Sequence, residues 1–148
     1  MDVFQSWLSQ LDEELKLNGE LMLDSKSQCF LMFDDTMLVE IEYKKDEKMF
    51  IFKGNLGTKN EIKAQKIYPQ LLEANFCWEK TNGATFGLQQ YSEKILLTQS
   101  FPLDSCDYSY FNKALEFFVN TFEYWLKNLS TLTPKTKISK EIPAGIRA

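Results

Sequence analysis

The chain contains no histidine. That absence excludes Ser-His-Asp and Cys-His catalysis, histidine-ligated zinc, and the side chain that ordinarily titrates near neutrality. Carboxylate, lysine, tyrosine or cysteine chemistry stays open by residue type. Arginine is almost as scarce, with Arg147 the only one. Without the planar forks that grip phosphates and base edges, nucleic acid is not an expected partner. Cysteine is confined to Cys29, Cys77 and Cys106, far apart and with no CxxC pair. That is neither zinc spacing nor a disulfide framework, so free thiols in a reducing compartment are expected, with no metal and no cofactor. No run approaches the roughly 20 apolar residues of a membrane span. The start, Met1-Asp2-Val3-Phe4, shows no basic segment leading into an apolar one. A cytoplasmic protein without membrane insertion is therefore expected.

What is present describes one domain: 148 residues, 44% hydrophobic and 26% charged, within the range of ordinary globular folds. The aromatic share, 14% with 12 Phe, is high enough that some rings are expected at an interface. The net charge of −4 is unevenly spread: Lys135, Lys137, Lys140 and Arg147 face only Glu141 near the C-terminus. Residues 1–132 read as a single domain. Residues 133–148, where Thr133-Pro134-Lys135 breaks any period, read as a flexible, weakly basic tail.

Val3, Phe4, Trp7, Leu8, Leu11 and Leu15 recur at helical steps and predict an amphipathic first helix stopped by Asn18-Gly19. The period then becomes alternating. Glu20–Leu23 predicts a short strand, Cys29–Phe33 a second that ends at the turn-forming pair Asp34-Asp35, and Met37–Tyr43 a third. That pair reads as a solvated hairpin tip rather than an acid–base dyad. A strand over Met49–Phe52 is expected to end at Gly54, followed by a loop and a helix over about 59–74 kinked by Pro69. Phe76-Cys77-Trp78 has no assigned state. Ala84–Gln89 and Lys94–Phe101 predict two further strands; Gly83 and Gly87 lie in a strand context and do not form a phosphate loop. The last helix carries Phe111, Leu115, Phe118, Phe122, Trp125, Leu126 and Leu129 on one side and Tyr110, Phe117 and Tyr124 on others. The reading is an α+β fold: a twisted antiparallel sheet packed with three helices, in the order α-β-β-β-(β)-α-β-β-α.

Over about residues 3–129 this pattern resembles the class I type III secretion chaperones of the Tir-chaperone family. Leu21-Met22-Leu23-Asp24, Phe33-Asp34-Asp35, Asn82-Gly83-Ala84-Thr85-Phe86-Gly87-Leu88, the run Ile95–Asp104 and the long apolar last helix carry the likeness, in the family's order. Phe76-Cys77-Trp78 departs from it. The resemblance implies a homodimer in the bacterial cytoplasm that binds the N-terminal segment of a secreted effector in extended form, without ATP and without enzymatic activity. It also implies contact with the secretion apparatus. The alternative is a small α+β module enclosing an apolar ligand. For the effector site the expectation is Phe4, Leu8 and Leu11 of the first helix with Leu31, Phe33, Val39 and Ile41 of the meander, on the argument that the short first helix leaves part of the sheet open. For the dimer interface the resemblance points to Ile62, Ile67, Leu71 and Leu72, with Phe86 and Leu88 on the strand that follows.

Overall fold

The computed structural model describes residues 2–132; the tail expected over 133–148 lies outside them. Helix α1 spans Val3–Leu15. Its start is set by Asp2, whose carboxylate accepts the Phe4 and Gln5 amides while the Gln5 side chain reaches back to the Asp2 amide, a reciprocal cap at the positive end of the helix. The other carboxylate oxygen of Asp2 accepts the Tyr43 hydroxyl at 2.9 Å, tying the helix start to the sheet. The helix closes earlier than expected. Lys16, at φ 57°, takes the left-handed cap and Leu17 N–H returns to Asp12 C=O. Asn18 and Gly19 form the turn beyond.

Five strands follow in one antiparallel sheet: β1 (Gln28–Phe33), β2 (Met37–Lys44), β3 (Met49–Thr58), β4 (Thr85–Leu88) and β5 (Lys94–Pro102). They lie in the order β1-β2-β3-β5-β4. Helix α2 (Ala64–Asn75) stands between β3 and β4, and α3 (Tyr108–Leu132) closes the domain. The sheet and its three helices match the expected α+β class.

Four local expectations change. Glu20–Leu23 forms no strand: its backbone turns locally, with Glu20 N–H donating to Leu17 C=O and Met22 N–H to Glu20 C=O. Strand β3 runs through Gly54 to Thr58, with a bulge between Asn55 and Gly57. Gly54 is a point of close approach rather than a terminator, because a Cβ there would lie 2.6 Å from the Phe122 ring. Helix α2 begins at Ala64; the residues before it turn around a Thr58–Glu61 exchange of side-chain and backbone hydrogen bonds. Pro69 sits inside α2 without dividing it. The bond it removes would have used the Gln65 carbonyl, and both residues lie on the exposed side of the helix.

The aromatic residues fill the core. Phe4, Phe50, Phe52, Phe111, Phe118 and Phe122 are all nearly inaccessible, and the rings of Phe4, Trp7, Phe50 and Phe111 meet at centroid distances of 5.3 to 6.1 Å. Interlocked rings of this kind are packing rather than the wall of a ligand chamber.

Candidate functional site

The helices cover only one face of the sheet. On β1 the inward residues are Cys29, Leu31 and Phe33; on β2 they are Met37, Val39, Ile41 and Tyr43. The opposite face stays open and carries Phe30, Met32 and Leu38, exposed at 48%, 54% and 44%. Met32 stands directly across from Leu38 in the ladder, and Phe30 across from Glu40. Beyond them Lys53 bridges Glu42 at 2.7 Å and Glu40 at 3.4 Å. Burial works against its charge, but the two carboxylates outweigh burial and hold the ammonium above its ordinary range. The open face is thus an apolar strip at the β1–β2 end followed by a polar zone in which one lysine bridges two carboxylates.

Strand β1 is also a sheet edge. Tyr43 N–H donates to Ser27 C=O, so with the observed register Cys29, Leu31 and Phe33 turn their backbone groups toward β2. Phe30 and Met32 therefore point their N–H and C=O groups out of the sheet. At Gln28 the edge is closed: the Asp24 carboxylate accepts its N–H and the Asp24 amide donates to its C=O. The other edge is treated differently at its centre. The Asn75 side chain at the end of α2 accepts Phe86 N–H at 2.8 Å and donates to Phe86 C=O at 3.1 Å, standing in for a neighbouring strand. Exposed strand edges invite pairing with another chain. Here one edge is plugged at Phe86, while the other presents four backbone groups beside two large apolar side chains.

A groove of about 610 Å³ lies between α1 and the segment Gly19–Leu23. Its wall is built by Asp12. This buried carboxylate accepts Gly19 N–H at 2.9 Å and Leu21 N–H at 2.8 Å, which takes the donor a strand ladder would have used, and the segment pairs with no strand. Leu21 turns into the core while Met22 stays exposed. The Asp24–Gln28 turn then leads directly from this wall into β1.

All seven residues expected at the effector site are core: Phe4, Leu8, Leu11, Leu31, Phe33, Val39 and Ile41 are each 5% exposed or less. Of these, Leu8 alone also lines the groove. The reason is that α1 and α3 share one face of the sheet, so the inward residues lie beneath helices and their immediate neighbours Phe30, Met32 and Leu38 are the accessible ones. In a strand reading Cys-Phe-Leu-Met-Phe, both faces are apolar, and only the tertiary packing selects between them. Asp12, Asn75 and Met22 were missed because nothing in their local sequence signals a tertiary hydrogen bond or an open groove.

The residues expected at the dimer interface divide. Ile67, Leu71 and Phe86 are buried within the protomer, Ile62 is partly buried, and Leu72 and Leu88 are exposed at 68% and 52%. Leu71, Leu72, Phe86 and Leu88 line one apolar groove of about 270 Å³ between α2 and β4. The nearby Phe76–Trp78 turn, with Cys77 and Trp78 in left-handed conformations, exposes Phe76 and Trp78 as well.

A one-sided sheet with an open β1 edge, a groove along the first helix and a second apolar face at α2–β4 is a binding architecture, and the family profile decides which one: that of the Tir chaperone protein (CesT) family matches residues 6–126. The chain belongs to the Tir chaperone family. Its general function follows: it is a type III secretion chaperone for effector proteins, of a non-enzymatic class. No curated protein sequence matches the chain. Solved structures share its fold at low identity. In the ExsC–ExsE complex a chain superposes with TM-score 0.75 at 19% identity, covering 87% of this chaperone and 97% of that chain. In the HopA1–SchA chaperone–effector complex the TM-score is 0.65 at 16% identity, with 87% and 94% covered. The ExoU–SpcU complex of the Pseudomonas aeruginosa type III secretion system gives 0.61 at 16%, with 86% and 95% covered. Among the described residues no helix of the chaperone is long and apolar enough to cross a membrane.

Proposed function

We propose that this chaperone holds an extended segment of its effector as an added strand on the β1 edge, with the effector's apolar side chains entering the neighbouring α1 groove and lying over Phe30, Met32 and Leu38. The open edge at Phe30 and Met32 is the observation that carries this reading. Backbone pairing supplies affinity without demanding a sequence, and alternate side chains supply the selection. Each apolar side chain buried adds roughly 1.5–3 kcal/mol, so a long track binds tightly without ATP and without a chemical step. The site of action is the bacterial cytoplasm, before export.

Parity along β1 provides the test. Met32→Pro removes an outward N–H and leaves the β1–β2 ladder intact, because proline is tolerated on the open side of an edge strand. It is expected to keep the melting temperature near wild type and to weaken capture of a co-expressed N-terminal effector fragment at least about tenfold. Leu31→Pro, one residue away, removes an inward ladder bond and is expected to unfold the protein. Met32→Pro protein that is folded and binds the fragment with wild-type affinity defeats the proposal.

We further propose that a second copy covers the α2–β4 face, making a homodimer with two effector tracks; an isologous contact needs a self-complementary apolar patch of this kind. Leu72→Asp is the informative variant because Leu72 is exposed in the protomer, whereas Leu71 is core. Sedimentation is expected to show the wild type as a dimer and Leu72→Asp as a folded monomer at the same concentration. A variant that remains fully dimeric removes α2 from the interface.

A further inference from the structure

Helix α3 carries an aromatic stripe that neither the core nor the effector track uses. Tyr110, Phe117 and Tyr124 recur every seven residues on its outer side and are exposed at 51%, 63% and 58%. Between and after them come Lys113, which is exposed, and Asn120 and Lys127, which are partly exposed. Steps of three and four residues put all six on one stripe about 26 Å long, ring and polar side chain in alternation. A stripe that keeps a seven-residue period is the pattern of a seam between two helices.

The six positions form a palindrome. A two-fold axis midway between Phe117 and Asn120 sets a second copy of the helix antiparallel to the first. Tyr110 then stands opposite Lys127, Lys113 opposite Tyr124, and Phe117 opposite Asn120 of the other copy. No lysine meets a lysine across the seam. Each lysine lies over a tyrosine instead, where the ring face attracts the ammonium and the aliphatic stem covers apolar surface.

The charges bordering the stripe agree with the same pairing. Glu116 and Glu123 lie along its lysine side, and Glu123 holds Lys127 of its own helix at 3.9 Å. In the antiparallel arrangement each half of the seam gathers Lys113 and Glu116 of one copy with Glu123 and Lys127 of the other, two bases with two acids. An unrelated helix would need cations against the rings and rings against the cations in the same order. A second copy of α3 has both by construction.

We infer that the outer face of α3 is a self-association surface that pairs antiparallel with the same face of a second copy. Its two-fold axis is distinct from the one proposed at α2–β4, so the contact joins chaperone dimers into larger assemblies. None of the six residues borders the β1 edge or the α1 groove, and an effector segment on that track is compatible with the contact. One helix pair about 26 Å long is small beside the roughly 1,200–2,000 Å² of a stable complex. The association is therefore weak and grows with concentration.

The test uses the full-length chain with photoreactive benzoylphenylalanine in place of Phe117, as an equal mixture of unlabelled and nitrogen-15-labelled copies. Irradiation is expected to give mixed-isotope cross-links from position 117 to the α3 turn around Asn120 of the other copy. In sedimentation, the mean mass of the wild type is expected to rise with concentration. Phe117→Glu, an exposed change, is expected to keep the melting temperature and to move that rise to at least about tenfold higher concentration. Lys113→Glu, which sets a carboxylate on the Tyr124 ring, is expected to weaken association likewise, and Lys113→Arg to retain it. All these variants keep Leu72, so the comparison reads the α3 contact whether or not the α2–β4 contact forms. Cross-links confined to one chain, or running from position 117 to another element of the second copy, overturn the inference. So does folded Phe117→Glu protein that associates as the wild type does. Loss of effector-fragment capture in Phe117→Glu assigns the stripe to the effector and overturns it as well.

Discussion

Phe50→Ala is expected to lower the free energy of unfolding by about 3–5 kcal/mol, in the range for removing a fully enclosed phenylalanine. Phe50 is 0% exposed and joins the sheet to both core helices. Its ring lies 5.3 Å from Phe4 and 6.1 Å from Trp7 of α1, 5.5 Å from Phe111 of α3, and 5.1 Å from Phe101 of β5. Truncation leaves a cavity lined by rigid rings on several elements, and rings cannot relax inward as flexible chains do. Against a typical total of about 5–15 kcal/mol, such a loss removes much of the stability of the domain. Urea unfolding measures it directly. A change below about 1 kcal/mol would mean that the aromatic cluster is loosely packed or collapses around the gap.

The second large effect is expected at Asp12, where stability and function meet. Its carboxylate is buried near the end of α1, where the helix dipole disfavours negative charge. Among the described residues, the two amides it accepts, Gly19 and Leu21, hold it in place. Hydrogen bonds to a charged group contribute about 1.5–3 kcal/mol each. Asp12→Ala is therefore expected to cost about 3 kcal/mol, allowing for water reaching the Gly19 amide. It is also expected to release the Gly19–Leu23 wall and reduce capture of the effector fragment, even below the unfolding temperature. Asp12→Asn keeps one acceptor and turns a donor toward the other amide, so it should fall between Ala and wild type. Wild-type stability and capture in Asp12→Ala would show that the wall stands without its brace.

These two residues also show how far the chain can be read without its fold. Phe50 was legible as part of a strand, since Met49–Phe52 is an apolar run between a charged turn and a glycine. Its role as the hub of four further rings was not, because those rings come from three other elements.

The strand β2 was readable in full: Val39, Ile41 and Tyr43 alternate with Glu40 and Glu42, and charge on one face declares the other to be core. The helical period of α1 and α3, the Asp34-Asp35 hairpin tip and the order of elements were readable for the same reason, as each is a local pattern with a local cause. Strand β1 carries no such contrast. The expectation put Leu31 and Phe33 toward a partner, whereas the shared placement of α1 and α3 on one side buries them and leaves Phe30 and Met32 accessible. Gly54 shows the same limit, since its small size answers to the Phe122 ring, which is distant in sequence. The sequence by itself determined the class, the family resemblance and the alternation of polar and apolar positions. Which apolar residues remain accessible was decided only by tertiary packing, because burial depends on what lies opposite a side chain, and that comes from elsewhere in the chain.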